Sequence, residues 1–214
     1  MATTTYLSLT DALSAVTLNC PSLIMAEAIK QTVIDLCERG QIWRYTHPDI
    51  ALVASDYSYS FSPPDSDTVI SLVKTARVDD VLIDIVTPEN AIVSFPKFPD
   101  AINVGEPNTL WQIDQRSFFV APTPDTSYTL KLTTTLKPTV TSTGADTTVI
   151  QEHLETINHG ALHRLLLQQK RDWFNSNLAG YHGKQYTYKL NLLKAQAVKG
   201  YGRTSISTAM RPFA

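Results

Sequence analysis

Glycine is scarce in this chain: eight residues in 214. None of them falls in a G-x-G-x-x-G or G-x-x-x-x-G-K-[ST] pattern, so the sequence holds no loop of the kind that cradles phosphates. Cysteine is scarcer still. Cys20 and Cys37 stand at a spacing that fits no metal or redox motif, and their apolar flanks predict buried free thiols. Free thiols suit a chain that folds in a reducing compartment. Long hydrophobic runs are missing too. The best stretches, "SLIMAEA" and "LHRLLL", fall far short of the ~20 residues that cross a bilayer. No basic residue precedes an apolar segment in "MATTTYLSLTDALSAV", which argues against a secretory signal. H-E-x-x-H and G-x-S-x-G are absent as well.

What the chain does have is an uneven charge. The net value is −2, but residues 161–214 hold nine Lys or Arg against one acid, Asp172, for +8. The first 160 residues hold nine basic and nineteen acidic residues, for −10. Such polarity predicts that the two parts face different surroundings. The basic part suits nucleic acid, an acidic protein, or the acidic part of an identical neighbour, and the last option builds a head-to-tail ring.

Periodicity divides the chain. Residues 8–18 make a short helix candidate with Ser8 or Thr10 as cap. From Ser22 to Gly40, the positions Leu23, Ala26, Ile29, Val33, Leu36 and Cys37 make one apolar stripe, with Ser22 as N-cap and Gly40 as stop. The middle is rich in β-branched and aromatic residues and predicts about six strands joined by short turns, hence antiparallel pairing. Thr87 and Pro88 open a short helix that runs to Phe95. Residues 138–147 read as polar loop. Thr148 with Gln151 resembles a capping box for a long helix reaching Asn175–Gly180, and a last helix follows. The predicted fold is therefore α+β. N-terminal helices (1–44) and C-terminal helices (148–199) form a bundle, the antiparallel β region (45–147) is inserted between them, and an extended arm (200–214) ends the chain.

Few residues read as chemistry. Glu155, His159 and His163 share a helix face at i, i+4 and i+8, near His153. Imidazoles one turn apart chelate zinc, but a solvated or interface face is the plainer reading. Asp79, Asp80 and Asp84 read as a turn and a strand end rather than as an acid–base pair. Lys184, Lys189 and Lys194 interleave with Tyr181, Tyr186, Tyr188 and Tyr201, which suits passing nucleic acid or a helix's wet face. No catalytic, cofactor or metal residue is assigned. Glu38, Arg39 and Trp43 close a helix and suit a guanidinium stacked on indole, as bracing or as an inter-subunit contact. Trp173 reads as a wedge between the long helices. Residues 200–214 carry too little apolar content to nucleate structure and reach roughly 50 Å when extended at about 3.3 Å per residue.

Three stretches, in order, resemble a known family. They are "IKQTVIDLCERGQIWRYT" (29–46), "FFVAPTPDTSYTLKLTTTLKPT" (118–139) and "INHGALHRLLLQQKRDWFNSNLAGYHGKQYTYKLNLLKA" (157–195). Their succession is similar to that of the adaptor, or head-to-tail connector, proteins of tailed bacteriophages. The resemblance implies a structural virion protein with no cofactor, made in the host cytoplasm and resident at the virion neck. It implies a ring of about twelve copies that joins the portal to the tail or nozzle and extends the channel for ejected DNA, without reading its sequence and without a membrane. It further implies an arm onto the portal or a neighbouring subunit, whose candidate contacts are Arg203, Ile206, Met210, Arg211 and Phe213. Another tail-completion or tail-tube protein, or an intracellular nucleic-acid-binding module, are the alternatives.

Overall fold

The computed structural model describes residues 2–96 and 104–199. In chain order these form β1 (Thr3–Thr5), a 3-10 turn (Tyr6–Leu9), α1 (Asp11–Ser14), α2 (Ser22–Gly40), β2 (Arg44–Thr46), β3 (Ile50–Leu52), β4 (Ser58–Ser60), β5 (Thr68–Val78), β6 (Val81–Ile85) and α3 (Pro88–Ser94). Then come β7 (Thr109–Gln112), β8 (Ser117–Ala121), β9 (Tyr128–Pro138), β10 (Gly144–Asp146), α4 (Thr147–Leu166) and α5 (Ser176–Lys199). The 200–214 arm, with Arg203, Ile206, Met210, Arg211 and Phe213, lies outside the described residues.

The class is α+β, but the predicted bundle with an inserted β region is wrong. An eight-stranded sheet ordered β2-β9-β5-β6-β7-β8-β4, with β3 also on β9, is the body of the fold. One continuous core joins sheet and helices: Ile29, Val33 and Leu36 of α2, Ile157 and Leu165 of α4 and Leu190 of α5 pack in the same cluster as Ile70, Leu130, Leu132 and Phe118. An apolar stripe shows that a helix has a partner; it does not say whether that partner is a helix or a sheet. The sheet is also mixed. β6 and β7 run parallel, Asp84 opposite Thr109, because α3 lies in the connection between them.

Two devices curl this sheet into a half-barrel. Along β5 and β9 the register slips between Ile70 and Leu72 and again between Val73 and Thr75. Each slip is a bulge that bends the strand and sharpens its twist. The threonines of β9 reach back there: Thr135 Oγ1 donates to Leu72 O at 3.4 Å and Thr134 Oγ1 to Tyr45 O at 3.4 Å, so both hydroxyls are satisfied although buried. The second device is chain length. β3 lies at one edge and β4 at the other, yet only residues 53–57 connect them. So short a segment holds the edges close together. His47 fastens them, its Nδ1–H donating to Pro48 O at 2.7 Å and its Nε2 accepting from Ser62 N at 2.7 Å.

Local corrections follow the same logic. Ser22 and Gly40 are the first and last residues of α2 rather than its caps, and the left-handed position falls on Gln41, at φ 53°. Gly40 sits in close packing instead: a Cβ there would stand 3.3 Å from Ile42 and 3.5 Å from Leu190, so the Ile42 side chain would have to give by a few tenths of an ångström. The cap of α4 is Asp146, whose Oδ1 accepts from Thr148 N at 2.9 Å and Val149 N at 3.3 Å. α4 stops at Leu166, well before Asn175. The supposed loop 138–147 holds β10, paired with β1 at the chain's other end.

Candidate functional site

α2, α4 and α5 meet around one carboxylate. Asp35 Oδ2 accepts the Tyr186 hydroxyl at 2.6 Å and Arg39 Nη1 at 3.3 Å, with Arg164 Nη2 at 4.0 Å. Each helix therefore contributes to one partly exposed polar knot where the three meet. Burial first, and then the neighbouring carboxylate, push the Tyr186 phenol far above its ordinary range. It stays a protonated donor.

The histidines of α4 do not converge. His159 Nδ1 meets His182 Nδ1 of α5 at 2.8 Å. Two ring nitrogens share such a bond only if one carries the proton and the other is bare, so at least one ring is neutral. Burial is the largest cause that lowers the pKa of each. His163 instead donates from Nδ1 to Ala179 O at 2.9 Å, and Glu155 takes Lys189 Nζ at 2.8 Å. His153 lies beside Glu152 and is lowered by its burial. Among the described residues no group of three or more His, Cys, Asp or Glu is arranged to hold a metal ion.

The other sequence-derived candidates scatter. Arg39 bonds Asp35 rather than stacking on Trp43, and Glu38 pairs with Lys137 of β9 at 3.2 Å. Trp43 is buried, its carbonyl accepting Leu136 N at 2.8 Å. Trp173 is buried in the connection between α4 and α5 with the Arg171 guanidinium 5.8 Å above its ring, and its indole N–H finds no partner among the described residues. Asp79 and Asp80, at φ 44° and 69°, are the two turn residues of the β5–β6 hairpin. Both are held in place: Asp79 Oδ1 accepts Thr129 N at 2.9 Å and Asp80 takes Lys131 Nζ at 2.8 Å. Cys20 and Cys37 are buried and free, and burial raises the Cys37 thiol to about 12.

Three surface features stand out among the described residues. A groove of about 370 Å³ lies where the described part of α5 ends, lined by Ile42, Trp43, Val149 and Leu193 with the carboxylates of Asp146 and Glu152. Arg44 closes one side by donating to Ala197 O. A second surface is the outward side of α5. Tyr181, Lys184, Tyr188 and Leu192 recur at steps of three, four and four, and all are exposed. A third is α3 with the outer side of β6. Ala91 seats α3 on Trp111 and Ala121, leaving Ile92 68% and Val93 80% exposed. His182, Asp35 and the α3 surface were not singled out from the sequence. A seven-residue helix with "AIV" in it was the available signal, since so short an element has only one side to bury. No helix among the described residues is long and apolar enough to cross a membrane. No protein-family model matches the chain, and no curated protein matches it either.

Proposed function

We propose that this chain is a structural virion subunit, an adaptor that assembles as a ring at the neck of a tailed phage. The ring joins the portal to the tail or nozzle proteins and continues the channel through which DNA leaves the capsid. The observation that carries this reading is the ordered resemblance of residues 29–46, 118–139 and 157–195 to such adaptors. The distribution of charge and exposed apolar side chains supports it. One chain carries an acidic sheet region and a basic C-terminal region, each with large exposed apolar residues. Unlike surfaces on the same subunit make head-to-tail contacts, and such contacts close into rings when the rotation allows.

In this reading residues 200–214 form the arm that engages the portal or an adjacent subunit, with Arg203, Ile206, Met210, Arg211 and Phe213 as its contacts. The groove beside Trp43 and the exposed α3 surface are further places for neighbours to dock. A second reading, a nucleic-acid-binding module, is favoured by Lys184 standing one turn from exposed Tyr188 on α5, with exposed Lys194 further along the helix.

Negative-stain imaging of the purified protein mixed with portal-containing capsids separates the two. Rings of fixed symmetry on the portal vertex support the adaptor. A protein that ignores the capsids and shifts only with DNA, with steep salt dependence, rejects it. Deletion of 200–214 then tests the arm: undiminished attachment removes that part of the reading.

A further inference from the structure

We propose that the outward face of α5 is one half of a head-to-tail contact whose other half is the α3–β6 face of a second copy of this chain. The inference deepens the reading above, resting on its homo-oligomeric part.

The α5 half is aromatic and basic. Tyr181 is 54% exposed and Tyr188 62%. Beside them runs a shallow depression lined by His163, Gly180, Gly183, Lys184, Thr187 and Tyr188. Gly180 leaves it open at one end: a Cβ built there meets nothing within 4 Å. Lys184 and Lys194 have no ion-pair partner among the described residues, whereas Lys189 is taken by Glu155.

The α3–β6 half is aliphatic and acidic. Register places it on one side of the sheet. Asp84 pairs with Thr109, so Leu82 and Asp84 share the side of Trp111, where α3 packs. Leu82 is 66% exposed and stands with Ile92 and Val93 as a bare aliphatic set. Asp84 and Glu89 are exposed and, among the described residues, have no ion-pair partner. Arg77 lies opposite Leu82, one cation against the two carboxylates of Asp84 and Glu89.

Two arguments select a second copy as the occupant. The first is complementarity. Unpaired Lys184 at the depression, with unpaired Lys194 further along the helix, matches unpaired carboxylates beside protruding aliphatics, and neither set has an ion-pair partner among the described residues. The second is position. α3 covers Trp111, Ala121 and Phe119 on one side of the sheet, while Leu110, Phe118 and Val120, which alternate with them, face the core shared with α2, α4 and α5. The α3–β6 surface therefore lies on the side of the sheet away from the core that α5 helps to build, and a contact between two such unlike surfaces is heterologous, propagating from copy to copy.

The test uses the full chain, with a photo-crosslinking benzoylphenylalanine in place of Tyr188 and a mixture of heavy- and light-isotope copies. The expected products are heavy–light peptide pairs joining position 188 to residues 81–93. Crosslinks that fall elsewhere or only within one copy, or none either in free solution or on portal-containing capsids, overturn the proposal. Sedimentation velocity supplies the second readout. Lys184→Glu with Lys194→Glu, and separately Asp84→Lys with Glu89→Lys, should each weaken self-association by about tenfold or more, and the fourfold charge swap should restore it. Failure of the swap to restore association also overturns it. Gly180→Leu adds a bulky side chain at the edge of the depression, from a position whose Cβ meets open space, so it should weaken association while leaving the monomer folded. If the lysine reversals leave association intact and abolish only salt-sensitive DNA retention, the face belongs to nucleic acid and the proposal is wrong. Portal binding is scored in parallel. A chain that still binds portal with this contact absent retains the adaptor reading and loses the inference. A chain that associates through this contact but never binds portal does the reverse.

Discussion

The hydroxyl of Tyr186 on α5 donates a 2.6 Å hydrogen bond to Oδ2 of Asp35 on α2, across 151 residues of sequence. That oxygen also faces Arg39 and Arg164, so one carboxylate ties together the two ends of the chain. Removing the hydroxyl in Tyr186→Phe leaves the ring's packing and the two guanidinium neighbours in place. The expected loss is about 1.5–3 kcal/mol, the worth of a hydrogen bond to a charged group. Urea unfolding reads it, and an unchanged midpoint would show that the arginines alone hold Asp35.

Two glycines in the same pair of helices predict opposite outcomes. Gly160 lies on α4 where a Cβ would stand 2.9 Å from the Tyr186 ring and would also strike Thr32. Gly160→Ala should cost about 1–3 kcal/mol, the usual penalty of overpacking. Gly180 on α5 faces open space. Gly180→Ala should stabilise by up to about 1 kcal/mol through helix propensity alone. Thermal melts of the two variants side by side check the pair, and equal shifts in the same direction would contradict it.

Much of the sheet was legible because its signals are local. The β5–β6 hairpin announces itself through "VDD", and both aspartates do adopt the left-handed turn geometry. Thr87 does cap α3, accepting Asn90 N at 3.3 Å. The long-range part was not legible. β1 and β10 are three residues each, and neither has meaning until Thr4 lies beside Ala145. Thr134 and Thr135 are buried, and nothing local in the sequence shows that backbone carbonyls at a curled edge will accept from their hydroxyls. The candidate site suffered similarly. His182 gains interest only through His159, which stands on another helix.

Trp173 offers a test of an unpaired donor. Its indole N–H is buried without a partner among the described residues, so the nitrogen contributes desolvation cost and no bond. Trp173→Phe keeps an aromatic ring under Arg171 and removes that donor. It should cost less than about 1.5 kcal/mol, whereas Trp173→Ala should cost about 3–5 kcal/mol by emptying the site. Chemical denaturation of both variants decides the matter. A Phe variant as unstable as the Ala variant would mean that the nitrogen is bonded.

Acid should loosen α5 from α4, and the sign follows from the histidine pair. His159 and His182 both lie below their ordinary value of 6.5, chiefly through burial, with Lys189 and the partner imidazole adding to the effect and Glu155 opposing it at His159. Well above pH 6.5 both rings are neutral whether the chain is folded or unfolded, so they leave stability unchanged. Below it the unfolded chain takes up protons that the folded pair refuses, and stability falls until the folded values are reached. The fall should therefore show between pH 7 and 5, before most carboxylates titrate. His153, also lowered by burial, adds to the same window, so the test is a difference. His182→Gln keeps a side chain that bonds His159 and removes one titrating ring. Its melting temperature should drop less steeply from pH 7 to 5 than that of the unaltered chain. Parallel slopes would mean that the His159–His182 bond does not govern the response.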